Sequence, residues 1–337
     1  MDRPCRRAGR VGVDRDRNDA HHGASLCPVI AELLPRCRFP DTDTLICAVS
    51  GGADSLALLA LAAASGRRVE AVHVDHGLRA GSHEEAAVVE QAAISVGAAF
   101  RSLRISVASG ANLEARAREA RYRVLPHDVA TGHTMDDVAE TVVLNMLWGA
   151  GLQGLAPFAG SGPPYRPLLD VRRTETQALC THLNWVPVVD AMNQDRRFRR
   201  VRIRHEVVPL FDAIAERDVV PIIARQAALI AEEIDLLENL ARAIDATDAR
   251  ALRDAPLALA RRAVRRWLMA EGVGGGYPPS ADVVARVLDV ARSDGVRADL
   301  FGGWRVARTA QRLRVENTGG SAPAAPAARG TRGTMDG

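Results

Sequence analysis

The sequence predicts an α/β protein: a doubly wound parallel sheet followed by a second, smaller, mainly helical domain. Three observations lead there. Short apolar runs alternate with segments of helical period from Leu45 to Trp148, the pattern of consecutive βαβ units. The first strand joins its helix through two adjacent glycines, Gly51 and Gly52. After about Pro209 the strand patterns stop and only amphipathic helical patterns continue.

The elements follow in order. Leu45–Val49 is a buried-strand pattern, and the glycine turn leads into a helix over Ser55–Ala64. Val69–Val74 is the next strand and Glu84–Val96 the next helix. Phe100–Ile105 is a third strand, followed by a helix over Asn112–Val124 that Asn112 caps. Asp128–Thr131 is a short fourth strand, and Asp136–Trp148 its helix. Beyond the sheet, Val219–Ala246, Ala255–Ala270 and Ala281–Ser293 read as helices, the last two separated by the Gly272–Pro279 breaker. This gives an arm over 1–26, a nucleotide-type domain over 27–215, a helical domain over 216–316 and a Gly/Ala/Pro/Ser tail over 317–337.

Composition excludes several chemistries. All 44 basic residues are arginine, so no Walker lysine and no Schiff-base lysine exists. Composition bias accounts for that absence. The five cysteines form no CxxC pair, which speaks against a zinc site and a disulfide framework and for a reducing cytoplasm. The longest apolar run, Leu56–Ala64, is nine residues, so no membrane partner is expected.

Chemistry concentrates in three segments. Ser50-Gly51-Gly52-Ala53-Asp54-Ser55 lies directly between a strand and a helix. Glycines let a backbone approach an anion, and the helix start offers unpaired N–H groups to phosphate. Asp54 would repel that phosphate unless a cation bridges them, which implies Mg²⁺ with a triphosphate and makes Asp54 the metal ligand. The second segment, Gly132-His133-Thr134-Met135-Asp136-Asp137-Val138-Ala139-Glu140-Thr141, places His133, Asp137, Glu140 and Thr141 on one face of a helix by their spacing. Its carboxylates and imidazole suit a cationic or metal-bridged substrate. The third, Arg196 to Arg204, carries six arginines in nine residues and is a natural phosphodiester contact. Arg261, Arg262, Arg265 and Arg266 form a further basic cluster, equally readable as a solvated helix face or a tRNA contact. Gly149-Ala150-Gly151-Leu152-Gln153-Gly154 spells GxGxxG but follows a helix, so it fails as a dinucleotide fingerprint.

These motifs carry a family resemblance. SGGADS resembles the PP-loop of the N-type ATP pyrophosphatases. Together with His73-Val74-Asp75-His76-Gly77-Leu78-Arg79, the His133–Thr141 segment, Arg118-Glu119-Ala120-Arg121-Tyr122 and Arg166-Pro167-Leu168-Leu169, it resembles the tRNA(Ile)-lysidine synthetases. The similarity covers roughly Leu45 to Val315. Departures occur at Thr134, Val138, Met192 and Val201, and the stretch from Tyr122 to Thr131 is short.

The resemblance implies that ATP with Mg²⁺ adenylates the wobble cytidine of a CAU-anticodon isoleucine tRNA. Free L-lysine then displaces AMP. It implies that Ser50, Gly51, Gly52, Ala53, Asp54 and Ser55 hold the nucleotide, and that Asp54, His133, Asp137 and Arg204 are catalytic. Asp136, Glu140, Arg200 and Arg118 would contact substrate. Oligomeric state stays open, with a homodimer as one option. Three rivals are tRNA thiolation, for which the usual CxxC is missing, an amide-forming PP-loop synthetase, against which the basic patch speaks, and a non-catalytic RNA-binding relative.

Overall fold

The computed structural model describes residues 27–75, 82–105, 113–160, 162–189, 195–275, 278–293 and 295–319. The expected arm over 1–26, the tail beyond Gly319, and His76 to Arg79 lie outside them. The chain divides into two units, one running to Gly149 and resuming over Ser161–Arg225, the other comprising Ala150–Gly160 and everything from Gln226.

In the first unit, α1 (Pro28–Leu33) precedes β1 (Thr44–Ala48), α2 (Ala53–Ala64), β2 (Arg68–Asp75), α3 (Ser82–Ser95), β3 (Ala99–Arg104), α4 (Leu113–Val124), β4 (Ala130–Thr131) and α5 (Met135–Leu147). The four strands are parallel, in the order β3-β2-β1-β4, as the alternating pattern predicts. Leu45 sits opposite Val69, Cys47 opposite Ala130, and Asp75 opposite Arg104.

The two-residue period of each strand assigns its faces. Leu45, Cys47, Val69 and Ala71 pack on one side, in the main core with α2. Ile46, Ala48, Val72 and Val74 pack on the other, with Leu103, Leu125 and Val129. Both faces are therefore covered, the doubly wound arrangement. Helix α2 is buried from Ser55 through Ala62, because its sequence is apolar all round. The order reverses between β1 and β4, and in such sheets the crevice beyond the strand ends at that reversal is where ligands sit.

The fourth strand is shorter than its apolar pattern suggests. Val129 N–H turns back to Pro126 O (3.2 Å), so pairing with β1 starts only at Ala130. Beyond the short α6 (Leu152–Leu155), which belongs to the second unit, the first unit continues with α7 (Arg173–His182) and α8 (Arg199–Arg202). A π turn over Ile203–Val207 then runs into α9 (Val208–Ala215).

Helix α10 (Val220–Arg242) leads into the second unit, which holds α11 (Ala249–Asp254), α12 (Leu257–Ala270) and α13 (Ala281–Arg292). Its helices pack through Leu252, Val264, Leu268, Val287 and Leu288. The helical expectation omits one feature. An antiparallel sheet of β5 (Arg297–Asp299), β6 (Trp304–Thr309) and β7 (Arg312–Asn317) closes this unit, inserting Val306 and Leu313 into the same core. No helix among the described residues is long and apolar enough to cross a membrane.

Candidate active site

The first strand hands directly to an anion cradle. Val49 N–H donates to Val72 O (2.9 Å), and the chain then turns through Ser50, Gly51 and Gly52 into α2. Gly51 has φ +87°, and a Cβ there would lie 2.9 Å from Val188 Cγ2, so only glycine suits the position. Gly52 is the N-cap and has no side chain to close the helix end. Ser55 Oγ instead holds the turn, donating to Gly52 O (2.8 Å) and accepting from Ser50 N–H (3.1 Å). Among the described residues, the N–H groups of Gly51, Gly52, Ala53 and Asp54 meet no protein acceptor. Four backbone dipoles at one helix start suit a phosphate.

The second motif reaches the same place through Gly132. A Cβ on Gly132 would lie 2.7 Å from Asp54 O and 3.0 Å from Ser55 N, so the β4–α5 turn rests on the backbone of the cradle. Thr134 is the N-cap of α5, and Asp137 Oδ2 accepts from both Thr134 N–H (2.9 Å) and Thr134 Oγ1 (3.1 Å). That cap corrects the expected helix phase. His133 precedes the helix, with Nδ1 2.8 Å from Thr131 Oγ1, and does not share the α5 face of Asp137 and Glu140. His133 still adds a favourable charge interaction with Asp137.

A residue that the motif reading omits organises the site. Arg173, at the first turn of α7, donates through Nε to Asp54 Oδ2 (3.3 Å) and through its two terminal nitrogens to Glu140 Oε1 (2.7 Å) and Asp137 Oδ1 (3.0 Å). Its backbone N–H donates to Asp136 Oδ2 (2.8 Å). Thr176, one turn on, donates to Asp54 Oδ1. Arg172 grips Asp136 with two nitrogens, both at 3.1 Å, and also pairs with Asp218. Helix α7 is itself held by Glu175, which accepts from Arg36 (2.6 and 2.8 Å) and from Arg172 N–H (2.7 Å). One signal for this role was present in the sequence. Two arginines stand at the N-terminus of a helix, where the dipole disfavours cations unless carboxylates hold them.

Burial and charge drive the carboxylates apart. Burial raises the pKa of Asp54, against the partial relief that Arg173 and Thr176 give. Asp137 suffers the same burial, but Arg173, the Thr134 N–H and His133 together bring its pKa below the ordinary range. Arg173 is the converse, its loss to burial outweighed by Asp137, Glu140 and Asp54, so its pKa is raised. The sign for Asp137 is that of a depressed acid. Its stabilisation is fully present above about pH 3.9, the unfolded-chain value, and is lost as pH falls towards its lower folded value. A urea series across the acid range is expected to show an acid loss of stability that is smaller in Asp137→Asn. An identical acid slope in the two proteins would refute this.

The basic segment is less free than its composition suggests. Arg204 donates to both oxygens of Glu140 (2.7 and 3.1 Å), and Arg200 donates to Thr141 Oγ1 (2.6 Å) with Nε 3.8 Å from Glu140. Arg197 pairs with Asp195 and Arg202 with Glu206, while Arg196 lies 4.0 Å from Glu206. Arg199 lies over the ring of Trp148, 4.5 Å from its centroid. In the second unit Arg262 pairs with Glu238 (2.5 Å), and Arg266 donates to Ala241 O (3.0 Å), so two of that cluster serve helix packing. Arg118 lies on α4, outside the residues whose side chains are described.

Comparison with known proteins identifies the family. Residues 29–211 match a PP-loop domain model, and residues 248–314 match the TilS substrate binding domain model. A tRNA(Ile)-lysidine synthase of Nocardia farcinica is 43% identical over 239 residues, covering 67% of this chain and 75% of that protein. One from Rhodococcus erythropolis is 40% identical over 261 residues, covering 73% and 78%. One from Mycobacterium tuberculosis is 36% identical over 282 residues, covering 79% and 87%. With the phosphate cradle, the acidic helix and both domain matches in place, the chain belongs to the tRNA(Ile)-lysidine synthase family of PP-loop proteins.

Proposed function

We propose that the protein is an ATP-dependent tRNA(Ile)-lysidine synthase, a ligase that forms a carbon–nitrogen bond on a CAU-anticodon isoleucine tRNA. The observation that carries this reading is that the carboxylates of Asp54, Asp136, Asp137 and Glu140 meet Arg173 beside a helix start whose N–H groups meet no protein acceptor among the described residues. In the first step the C2 oxygen of the wobble cytidine attacks the α-phosphate of ATP and pyrophosphate leaves. In the second the ε-amine of free L-lysine attacks C2 and AMP leaves, with one proton released from the amine. The Ser50–Ser55 turn binds the phosphates. Asp137 and Glu140 take the lysine amine groups, and His133, in the turn that precedes α5, orders the base. Arg200 and Arg204, held ready by Glu140, steady the negative charge of the adenylate. Residues 216–316 hold the body of the tRNA.

Mg²⁺ fits Asp54, whose pKa burial raises despite Arg173 and Thr176, because a bound cation would favour the ionised carboxylate. Bound there, it would neutralise phosphate charge at the start of α2. The thiolation alternative is not supported. Burial raises the Cys37 and Cys47 thiols to about 12 and Cys180 to about 11, which leaves these three without thiolate character at neutral pH.

The test is incorporation of labelled lysine into isoleucine tRNA transcripts in the presence of ATP. A CAU-anticodon transcript is expected to take up label with release of AMP and pyrophosphate. A GAU-anticodon transcript, which lacks the wobble cytidine, is expected to take up none. Absence of label from the first, or equal label in both, would overturn the reading.

A further inference from the structure

Helix α5 carries its acidic site at one end and an exposed apolar group at the other. Met146, Leu147 and Trp148 are 61%, 71% and 59% exposed. Trp148 is the C-cap of α5, its N–H donating back to Asn145 O and Met146 O, so a regular helix fixes its position. A tryptophan ring left in water forfeits the large burial gain of that side chain. Arg199 lies over the ring at 4.5 Å, the geometry of a cation–π contact.

The charge pattern around it is selective. Of the arginines from Arg196 to Arg204, five lie within 4 Å of a carboxylate oxygen of Asp195, Glu206 or Glu140. Arg199 has no carboxylate partner among the described residues, and its nearest charged neighbours in sequence are other arginines. The aromatic surface thus adjoins a cation whose charge is left uncancelled. Arg200, the next residue along α8, reaches Thr141 beside Glu140, so the platform and the acidic site share two helices. Along α5, Trp148 lies roughly 12 Å from Glu140 at 1.5 Å per residue.

We propose that Trp148, backed by Arg199, is a stacking platform for an unpaired base of the tRNA anticodon loop, next to the base that reacts. An unpaired base offers a flat π-face to the ring, and its phosphate offers charge to the free guanidinium. This rests on the reading that the substrate is tRNA, and it goes further by assigning a base-binding surface outside the motif residues.

The test uses the full-length protein and a labelled anticodon stem-loop RNA with a CAU loop. Trp148→Ala is expected to weaken binding about tenfold, and Trp148→Phe to recover most of that loss because a phenyl ring still stacks. The salt dependence should stay unchanged in both, since no phosphate contact is removed. Binding by Trp148→Ala within about twofold of the parent would overturn the platform, and so would Trp148→Phe binding no better than Trp148→Ala. An equal loss on a duplex RNA without a loop would also overturn it. Self-association that Trp148→Ala abolishes, with RNA binding intact, would assign the surface to a protein contact instead. Lysine incorporation by the parent protein distinguishes failure of this inference from failure of the tRNA reading itself.

Discussion

Replacing Arg173 by alanine is expected to lower lysidine formation by two to three orders of magnitude, and to lower unfolding stability by about 3 kcal/mol. The substitution leaves Asp54, Asp137 and Glu140 facing one another without the guanidinium that contacts all three. Glu140 is buried, and Asp137 largely so, which makes an uncompensated charge there costly. Their repulsion is relieved by taking up a proton or by moving apart, and either outcome disturbs the proposed lysine and phosphate subsites together. Arg173→Lys restores a charge but not three donors in a plane, so it should recover more stability than turnover. Single-turnover lysidine formation and urea unfolding measure the two effects separately. Activity of Arg173→Ala within about threefold of the parent would show that the carboxylates do not depend on this residue.

The second large effect is expected at Gly132. A methyl group there would press against the Asp54 carbonyl and the Ser55 nitrogen, which are backbone atoms and cannot rotate aside as a side chain could. Overpacking of this kind costs about 1–3 kcal/mol. The strain falls where α2 begins, so Gly132→Ala should also weaken ATP binding, by an order of magnitude or more if the N–H groups shift. Gly151→Ala supplies the control, because a Cβ at Gly151 meets nothing within 4 Å. Calorimetric titration with ATP and a thermal melt of both variants decide the matter. Unchanged ATP affinity and melting temperature in Gly132→Ala would remove the proposed contact from the mechanism.

The sheet was legible because short apolar runs of strand length alternate with segments of helical period from Leu45 to Trp148. The antiparallel sheet of the second unit was not. Its β6–β7 turn places Ala310 and Gln311 at φ +48° and +67°, a conformation ordinarily signalled by Asn-Gly or Asp-Gly. Neither residue type announces it, and the alternation of Leu313 and Val315 is short and flanked by arginines.

The site shows a similar division. The cradle and the carboxylates of α5 stand in compact motifs, and their neighbours in sequence are their neighbours in space. Arg173 lies 119 residues from Asp54 and is one of many arginines, so its distinction comes only from tertiary placement. The phase of α5 failed at one residue for a local reason: Thr134 competes for the helix start through its hydroxyl and leaves His133 outside.

The acids Asp54, Asp136, Asp137, Glu140 and Asp218 are tied to the bases Arg172, Arg173, Arg200 and Arg204 by ion pairs, so the formal charges of this group sum to only −1. A cluster so nearly balanced casts little field beyond the ~8 Å screening distance of physiological salt. Small charged substrates are therefore not drawn in from afar. Each must arrive by ordinary diffusion and be selected only once inside, where whatever charge it brings displaces a partner already seated. Discrimination in such a site belongs to contact and exchange rather than to attraction at a distance.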